Sequence, residues 1–351
     1  MGNRKLGHAV IGYGGMGSWH ATVAGMLPEL LEQRGIFDIK PDRCAVAREK
    51  GLRAYESLEE LLADPQVDLV TVATPNDTHK DLCIQALQAG KHVVCEKPAA
   101  LSSAELEQMI HTAEQNHRLF TTHHNRRFDE DFLCVKQLYE QRTLGDVFCI
   151  QSRVYGSRGV PGDWRNQKEH GGGMILDWGV HLLDQALLMT DEKMVSVYAV
   201  ETHVTNDEVD DGFIVTLRTE SGLLFQIEVG TSHFIPFPRW YVFGQNGSAE
   251  VDWGLKGKIV MVSDWKNKDA VPVVAGAGLT KTMAPRDKDS IREYPLPEIH
   301  SDVLDFYRNV VAVIWGEQQS LITPEQMRRV MRLMELVFAS AEQNRVIEER
   351  I

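Results

Sequence analysis

Lys97 stands in Cys95-Glu96-Lys97-Pro98, directly after the apolar run His92-Val93-Val94. A lysine ammonium beside a substrate hydroxyl favours the alkoxide as hydride leaves carbon, and partial burial brings its pKa toward a useful range. Pro98 fixes the chain direction and keeps Lys97 extended. A surface Glu-Lys loop is the alternative reading. Further on, Gly171-Gly172-Gly173 opens a segment of helical periodicity, 173–189, in which Asp177, His181 and Asp184 fall at i, i+4 and i+7 on one face. Leu176, Val180, Leu183 and Leu187 form an apolar stripe beside them. Three ionisable groups on such a helix are costly to bury unless they pair or react. Asp177 can orient and charge-stabilise the His181 imidazole, as a general base requires; a structural Asp–His bond is the alternative. No further cluster has metal-ligand spacing, so no metal is expected.

Upstream, Gly12-Tyr13-Gly14-Gly15-Met16-Gly17 follows a strand-like segment and opens a helix, the context a dinucleotide fingerprint needs. Gly12 permits the tight turn, Gly14 lets the backbone approach a pyrophosphate, and Gly17 lets helix and strand pack closely. Asp38 lies 21 residues past Gly17. A carboxylate there accepts ribose hydroxyls and repels a 2′-phosphate, which favours NAD, while nearby Lys40 keeps NADP open. Thr74-Pro75-Asn76 ends the next buried strand, where polar groups line a dinucleotide crevice; Asn76 or Asp77 can also cap the following helix. His79, in that helix's first turn, is either a ligand contact or a solvent-facing histidine. Glu96 and Lys97 end a later strand of the same sheet, at the nicotinamide end. Asn125-Arg126-Arg127 reads as a set for cofactor phosphate or substrate hydroxyls, or as interdomain salt-bridge partners; Asn125 is assigned to the cofactor and Arg127 to the substrate. Trp164-Arg165 covers the nicotinamide or the sugar, or is an ordinary loop pair.

The elements needed to position these groups are legible in outline. Through about residue 124, strands alternate with helices: 6–11, 18–27, a weak strand to Asp38, 57–63, 67–73, 77–89, 91–95, 102–117 and 119–122. This is the α/β pattern of a doubly wound parallel sheet covered on both faces, a Rossmann domain. From 125 to 351 the character is α+β, with strands expected at 147–155, 195–204, 212–219, 223–229, 240–244 and 248–251. Hairpin signals such as Gln245-Asn246-Gly247 join several of them into a large, mostly antiparallel open sheet. The stretch 256–291 reads as irregular, and helices at 302–315 and 324–347 close the chain, with room to pack back on the first domain.

At 351 residues there is room for two domains. No apolar run is long enough to span a membrane, and the N-terminus has no signal-peptide pattern. The net charge of −13 disfavours nucleic acid and anionic membranes as partners. Cys44, Cys83, Cys95, Cys134 and Cys149 are dispersed, with no CxxC pair, which fits a reduced cytoplasm.

The order of these motifs resembles the glucose–fructose oxidoreductase / inositol dehydrogenase / MocA family. The resemblance runs from Gly12 to the C-terminal helices, through Thr74-Pro75-Asn76, Glu96-Lys97-Pro98, Asn125-Arg126-Arg127 and Asp177-x-Gly179-x-His181-x-x-Asp184. It implies a tightly held nicotinamide cofactor, a polyhydroxylated substrate (a sugar, cyclitol or glycoside), and homodimers or homotetramers formed through the C-terminal sheet. It also implies that Lys97, Asp177 and His181 form the catalytic set. Some members carry tyrosine in place of the histidine, and Trp178 is bulkier than many members carry. Two other activities occur on this scaffold: redox-neutral, NAD-dependent oxidation and elimination of a glycoside, and non-catalytic sensing of a dinucleotide.

Overall fold

The computed structural model describes residues 4–266 and 285–351. Its first half is built from β1 (Leu6–Ile11), α1 (Gly15–Met26), β2 (Leu31–Phe37), α2 (Pro41–Glu49), α3 (Leu58–Ala63), β3 (Leu69–Val72), α4 (His79–Gln88), β4 (His92–Cys95), α5 (Ser103–Gln115) and β5 (Phe120–Thr122). The strands form one parallel sheet in the order β2-β1-β3-β4-β5. β1, β3 and β5 are buried along their length, as strands covered on both faces must be. From β1 the chain winds first to β2 and then back across to β3. The crevice at the carboxyl ends of β1 and β3 is therefore the topological switch point where ligands bind such sheets. The helix expected from Ser18 begins at Gly15, because the last part of the glycine turn is already its first turn. α2 is an addition to the expected elements: it buries little more than Cys44 and Ala47, too few apolar groups for a periodic signal.

The second half contains α6 (Glu130–Glu140), β6 (Val147–Tyr155), a π-helical turn (Ile175–Gly179), α7 (Val180–Met189), β7 (Met194–Thr202), β8 (Gly212–Thr219), β9 (Leu224–Gly230), β10 (Trp240–Gly244), β11 (Gly247–Asp252), β12 (Lys256–Val262), β13 (Ile291–Tyr294), α8 (Asp305–Ile314), α9 (Pro324–Gln343) and β14 (Ile347–Glu348). Nine strands pair in the order β13-β12-β11-β10-β6-β9-β8-β7-β14, antiparallel except for β6 with β9. Alternation decides the faces. On β8, Phe213, Val215 and Leu217 point into the core beneath α7 and α9, while Ile214 is exposed on the opposite face. The expected irregular stretch 256–291 is corrected in part: it contains β12, paired on both sides, and the start of the edge strand β13, and both lack a clear apolar alternation. Its middle, 267–284, lies outside the described residues.

α8 and the start of α9 return to the parallel sheet: Phe306, Tyr307, Val310, Val311, Met327 and Met331 belong to its core. Leu333, Met334 and Val337 of α9 belong to the core under the large sheet. Thr323 and Gln326 form a reciprocal capping box at the start of α9. All five cysteines are free and buried. No described helix is long and apolar enough to cross a membrane.

Candidate active site

The glycine turn is shaped for a dinucleotide. Gly12 has φ +88°, and a Cβ there would lie 2.6 Å from the Ala73 carbonyl oxygen, so only glycine closes the turn. Gly17 packs against the Gly12 carbonyl, whereas Gly15 faces open space and Gly14 meets nothing closer than the Arg43 guanidinium, leaving the outer surface of the turn approachable. Tyr13 turns inward, buried in a small cluster with Val10 and Ile36. Met16 faces a cavity of about 330 Å³ shared with Trp19, His123 and Asn125, which brings Asn125 to the glycine turn. Asp38 ends β2 as expected. Its carboxylate accepts the Tyr13 amide at 2.7 Å and the Lys40 amide at 2.8 Å, and it pairs with Arg43 at 3.2 Å. Arg43, on the unforeseen α2, is the cation beside Asp38; Lys40 contributes its backbone.

The loop after β3 is braced. His79 is fully buried: its Nδ1 lies 2.8 Å from the Pro98 carbonyl oxygen and its Nε2 lies 2.9 Å from that of Thr74. This corrects the expectation of a solvent-facing or cofactor-contacting ring: the ring is buried with both nitrogens aimed at backbone carbonyls of the Thr74-Pro75 and Lys97-Pro98 loops, and the one N–H of the neutral ring bonds one of them. Asn76 does not cap its helix with its side chain. It is buried and donates to the Gly171 carbonyl at 2.8 Å, while Asp77 meets His170 at 3.0 Å. Those two contacts join the crevice to the segment that carries Asp177.

Glu96 is also a brace. Its Oε1 accepts from His20 at 2.8 Å and His123 at 2.9 Å, and its Oε2 accepts the Lys97 amide at 3.1 Å. Tyr307, Thr71 and His8 extend this buried chain from His20. Burial opposes the Glu96 charge, but the two imidazoles more than offset it and hold its pKa well below the usual range. The carboxylate expected to touch cofactor is thus occupied, and it fixes the backbone from which Lys97 projects. His20, Glu96 and His123 are also the one group of three ligand-type side chains that converge among the described residues. Their spacing along the chain gave no sign of it.

Lys97 and Asp177, 80 positions apart, come together. The Lys97 ammonium donates to Asp177 Oδ1 and to the Asp177 carbonyl, each at 2.8 Å. Arg165 Nε lies 3.6 Å from Asp177 Oδ2, with the Arg165 guanidinium 4.5 Å over the Trp164 ring. Burial pushes Asp177 up, and Lys97 and Arg165 more than reverse it, so the carboxyl stays below its ordinary pKa. The expected Asp177–His181 bond is not formed: Asp177 engages Lys97, and His181 Nδ1 is buried without a partner. The i, i+4 argument assumed α-helical winding, but Asp177 sits in the π turn, whose wider winding changes the direction in which it points. His181 is 5% exposed, 6.0 Å from the Trp178 ring. Burial first, then Lys97, Arg126 and His124, hold its pKa well below the ordinary histidine value, so it is a neutral base at pH 7.

Arg127 is a correction of its substrate assignment. Its guanidinium grips Asp184 at 2.8 and 2.6 Å, and donates to the Leu321 carbonyl and to Gln326. Arg126 is the one that faces the site, 4.1 Å over Trp178. A residue the sequence did not reveal is Asp210. It accepts the Ile175 amide at 2.9 Å and so caps the π turn. Gly173, φ +102°, is required beside it, since a Cβ would lie 2.1 Å from Asp210 Oδ1. In sequence, Asp210-Asp211 is indistinguishable from a solvated loop pair.

Residues 6–124 match the model of an oxidoreductase family with an NAD-binding Rossmann fold, and 132–250 match the GFO/IDH/MocA C-terminal domain. The chain is 28% identical over 355 residues to the scyllo-inositol 2-dehydrogenase (NADP(+)) of Bacillus subtilis, covering 99% of this chain and 97% of that one. It is 32% identical over 257 residues to the myo-inositol 2-dehydrogenase of Thermotoga maritima, covering 71% and 73%. The crystal structure of an NAD-binding protein from Listeria innocua superposes with a TM-score of 0.95 at 46% identity, covering 99% of this chain and 100% of that one. With both domains matched in one chain, this protein belongs to the glucose–fructose oxidoreductase / inositol dehydrogenase / MocA family of NAD-binding oxidoreductases.

Proposed function

We propose that this oxidoreductase is a dehydrogenase of a polyhydroxylated ring, a sugar, cyclitol or glycoside, working with NAD. The observation that carries the reading is the Lys97–Asp177 pair beside a buried, neutral His181. A bound nicotinamide supplies the hydride acceptor. His181 takes the hydroxyl proton, and Lys97 stabilises the oxygen as negative charge develops on it. Asp177 holds and aims Lys97. Arg165 and Trp164 cover the site from the loop after β6. The inositol dehydrogenases among the relatives support a ring substrate. Asp38 favours NAD, while Arg43 supplies a counter-charge that keeps NADP admissible. Phe148, Tyr198, Val200 and Ile214, exposed on the large sheet, fit a homodimer or homotetramer formed through it.

The test is NADH absorbance with NAD or NADP against a panel of inositols, free sugars and glycosides. A rise with one ring class that His181→Ala removes is the expected result. Aglycone release without net NADH would replace this reading with redox-neutral glycoside elimination.

A further inference from the structure

Beyond the residues assigned to chemistry, a line of side chains runs outward from His181. The Trp178 ring lies 6.0 Å from His181, the Arg126 guanidinium lies 4.1 Å over Trp178, and the same guanidinium lies 5.7 Å from the Trp253 ring. The Arg239 guanidinium also approaches the Trp253 ring, at 5.4 Å. Trp253 is 43% exposed, at the hairpin between β11 and β12. Strand register puts that hairpin at the same edge of the sheet as the end of β6, which leads into the Trp164-Arg165 loop. It also puts there the end of β9, which leads to Phe234, Ile235 and Phe237, exposed at 83%, 73% and 54%. Arg126 bonds Asp129 through Nη1 at 3.0 Å, and its side chain keeps 25% exposure. The guanidinium has N–H donors beyond the one given to Asp129, and an acceptor oxygen on a ligand can take one from its exposed side.

We propose that the substrate is a glycoside with a flat apolar aglycone: the sugar sits at Lys97 and His181, the linking oxygen accepts from Arg126, and the aglycone lies on Trp253. This rests on the dehydrogenase reading for the inner half only. A free inositol or monosaccharide presents hydroxyls on every side, and it gives the apolar rim nothing to bind. An aromatic aglycone stacks on an indole face and buries apolar area there. The charged inner wall and apolar outer wall thus match the two halves of one molecule.

The experiment is calorimetric titration of the NAD-loaded protein with phenyl and methyl glycosides of the same sugars, alongside NADH formation. The phenyl glycoside of the accepted sugar binds roughly tenfold tighter than the methyl one. Trp253→Ala brings the two affinities together, and Arg126→Lys weakens both. Equal affinity for phenyl and methyl in every sugar overturns the proposal. So does a Trp253→Ala variant that keeps the preference while changing sedimentation, which would make this rim a contact between copies of the chain. A phenyl preference without NADH formation leaves the subsite standing and sinks the dehydrogenase reading. NADH from inositol with no phenyl preference does the reverse.

Discussion

Asp177 and Asp184 lie on one helical segment, and each closes an ion pair with a cation from a distant loop. Lys97–Asp177 measures 2.8 Å and Arg127–Asp184 measures 2.6 Å. Distance does not separate them; satisfaction and access do. The Lys97 and Asp177 side chains are 15% and 18% exposed, and the Lys97 ammonium donates to Asp177 alone. The Arg127 and Asp184 side chains are 8% and 3% exposed, and Arg127 donates from all three of its nitrogens. A charge that must meet a reacting oxygen keeps capacity in reserve at a reachable surface, while a charge that holds two segments together is saturated and sealed.

The largest expected effect is on turnover at the open pair. Lys97→Met and His181→Ala should each lower kcat by about 10²–10⁴-fold with NAD still binding, since in the proposed mechanism each removes a group acting on the proton or the developing oxyanion. Thermal melts of both variants should stay close to wild type. A Lys97→Met protein that keeps turnover but melts early would put Lys97 in the bracing class and erase the distinction. Because burial and neighbouring cations hold the His181 pKa well below its ordinary value, the activity profile stays flat through neutrality on its acid side. An acid limb centred at pH 7 would contradict a neutral His181.

At the sealed pair the effect moves to stability. Asp184→Ala strands a buried guanidinium beside buried His124, which costs about 3–5 kcal/mol in urea unfolding. The double change Arg127→Met with Asp184→Leu should recover much of it, because two apolar groups leave no unpaired charge. A double variant as unstable as the single one would show that Arg127 matters chiefly through Leu321 and Gln326.

Asp210 tests the same contrast with pH. Burial first, then Glu201, raise its pKa to about 7, against the Ile175 and Met174 amides and His203, which lower it. A carboxyl raised in the folded state stabilises fully below its unfolded value near 3.8, and that stability is lost as pH rises through about 7. Asp210→Asn keeps an acceptor for the Ile175 amide and removes the ionisation. It should match wild type near pH 4 and exceed it above pH 7, on the order of a few kcal/mol. The comparison is made at each pH because His20, His92 and His124, held neutral with pKa near 4, destabilise both proteins alike as pH falls below about 6.5. A constant offset between the two proteins at all pH values would mean that Asp210 does not titrate in this range.

The sequence carried the strands well where one face is buried and one is not: β6, β8 and β10 begin and end where alternation predicts. The family resemblance named Lys97, Asp177 and His181 together, and of these the structure pairs Lys97 with Asp177. What the sequence did not carry is who pairs with whom. Asp177 pairs with a residue 80 positions away because a π turn re-aims it, and nothing in the local pattern encodes a π turn. Glu96 reads as a crevice residue, yet its partners His20 and His123 come from two other elements that only the folded sheet brings together. α6 was a missed signal of another kind, since Phe132, Val135 and Leu138 are spaced as a helical stripe and all are buried. Pairing depends on long-range geometry, and periodicity reports only the nearest layer of it.

The smallest effect belongs to a third pair with the most favourable contacts on paper. Arg328 on α9 grips Glu107 on α5 through two bonds, at 2.6 and 3.0 Å, as bidentate as Arg127 with Asp184. The side chains are 37% and 51% exposed, so water competes for both partners and salt screens them. Arg328→Ala should cost no more than about 1 kcal/mol, and added salt should reduce the difference toward zero. If instead it destabilises as much as Asp184→Ala and salt does nothing, then geometry rather than burial sets the strength of these pairs. The distinction between Asp177 and Asp184 would then need another cause.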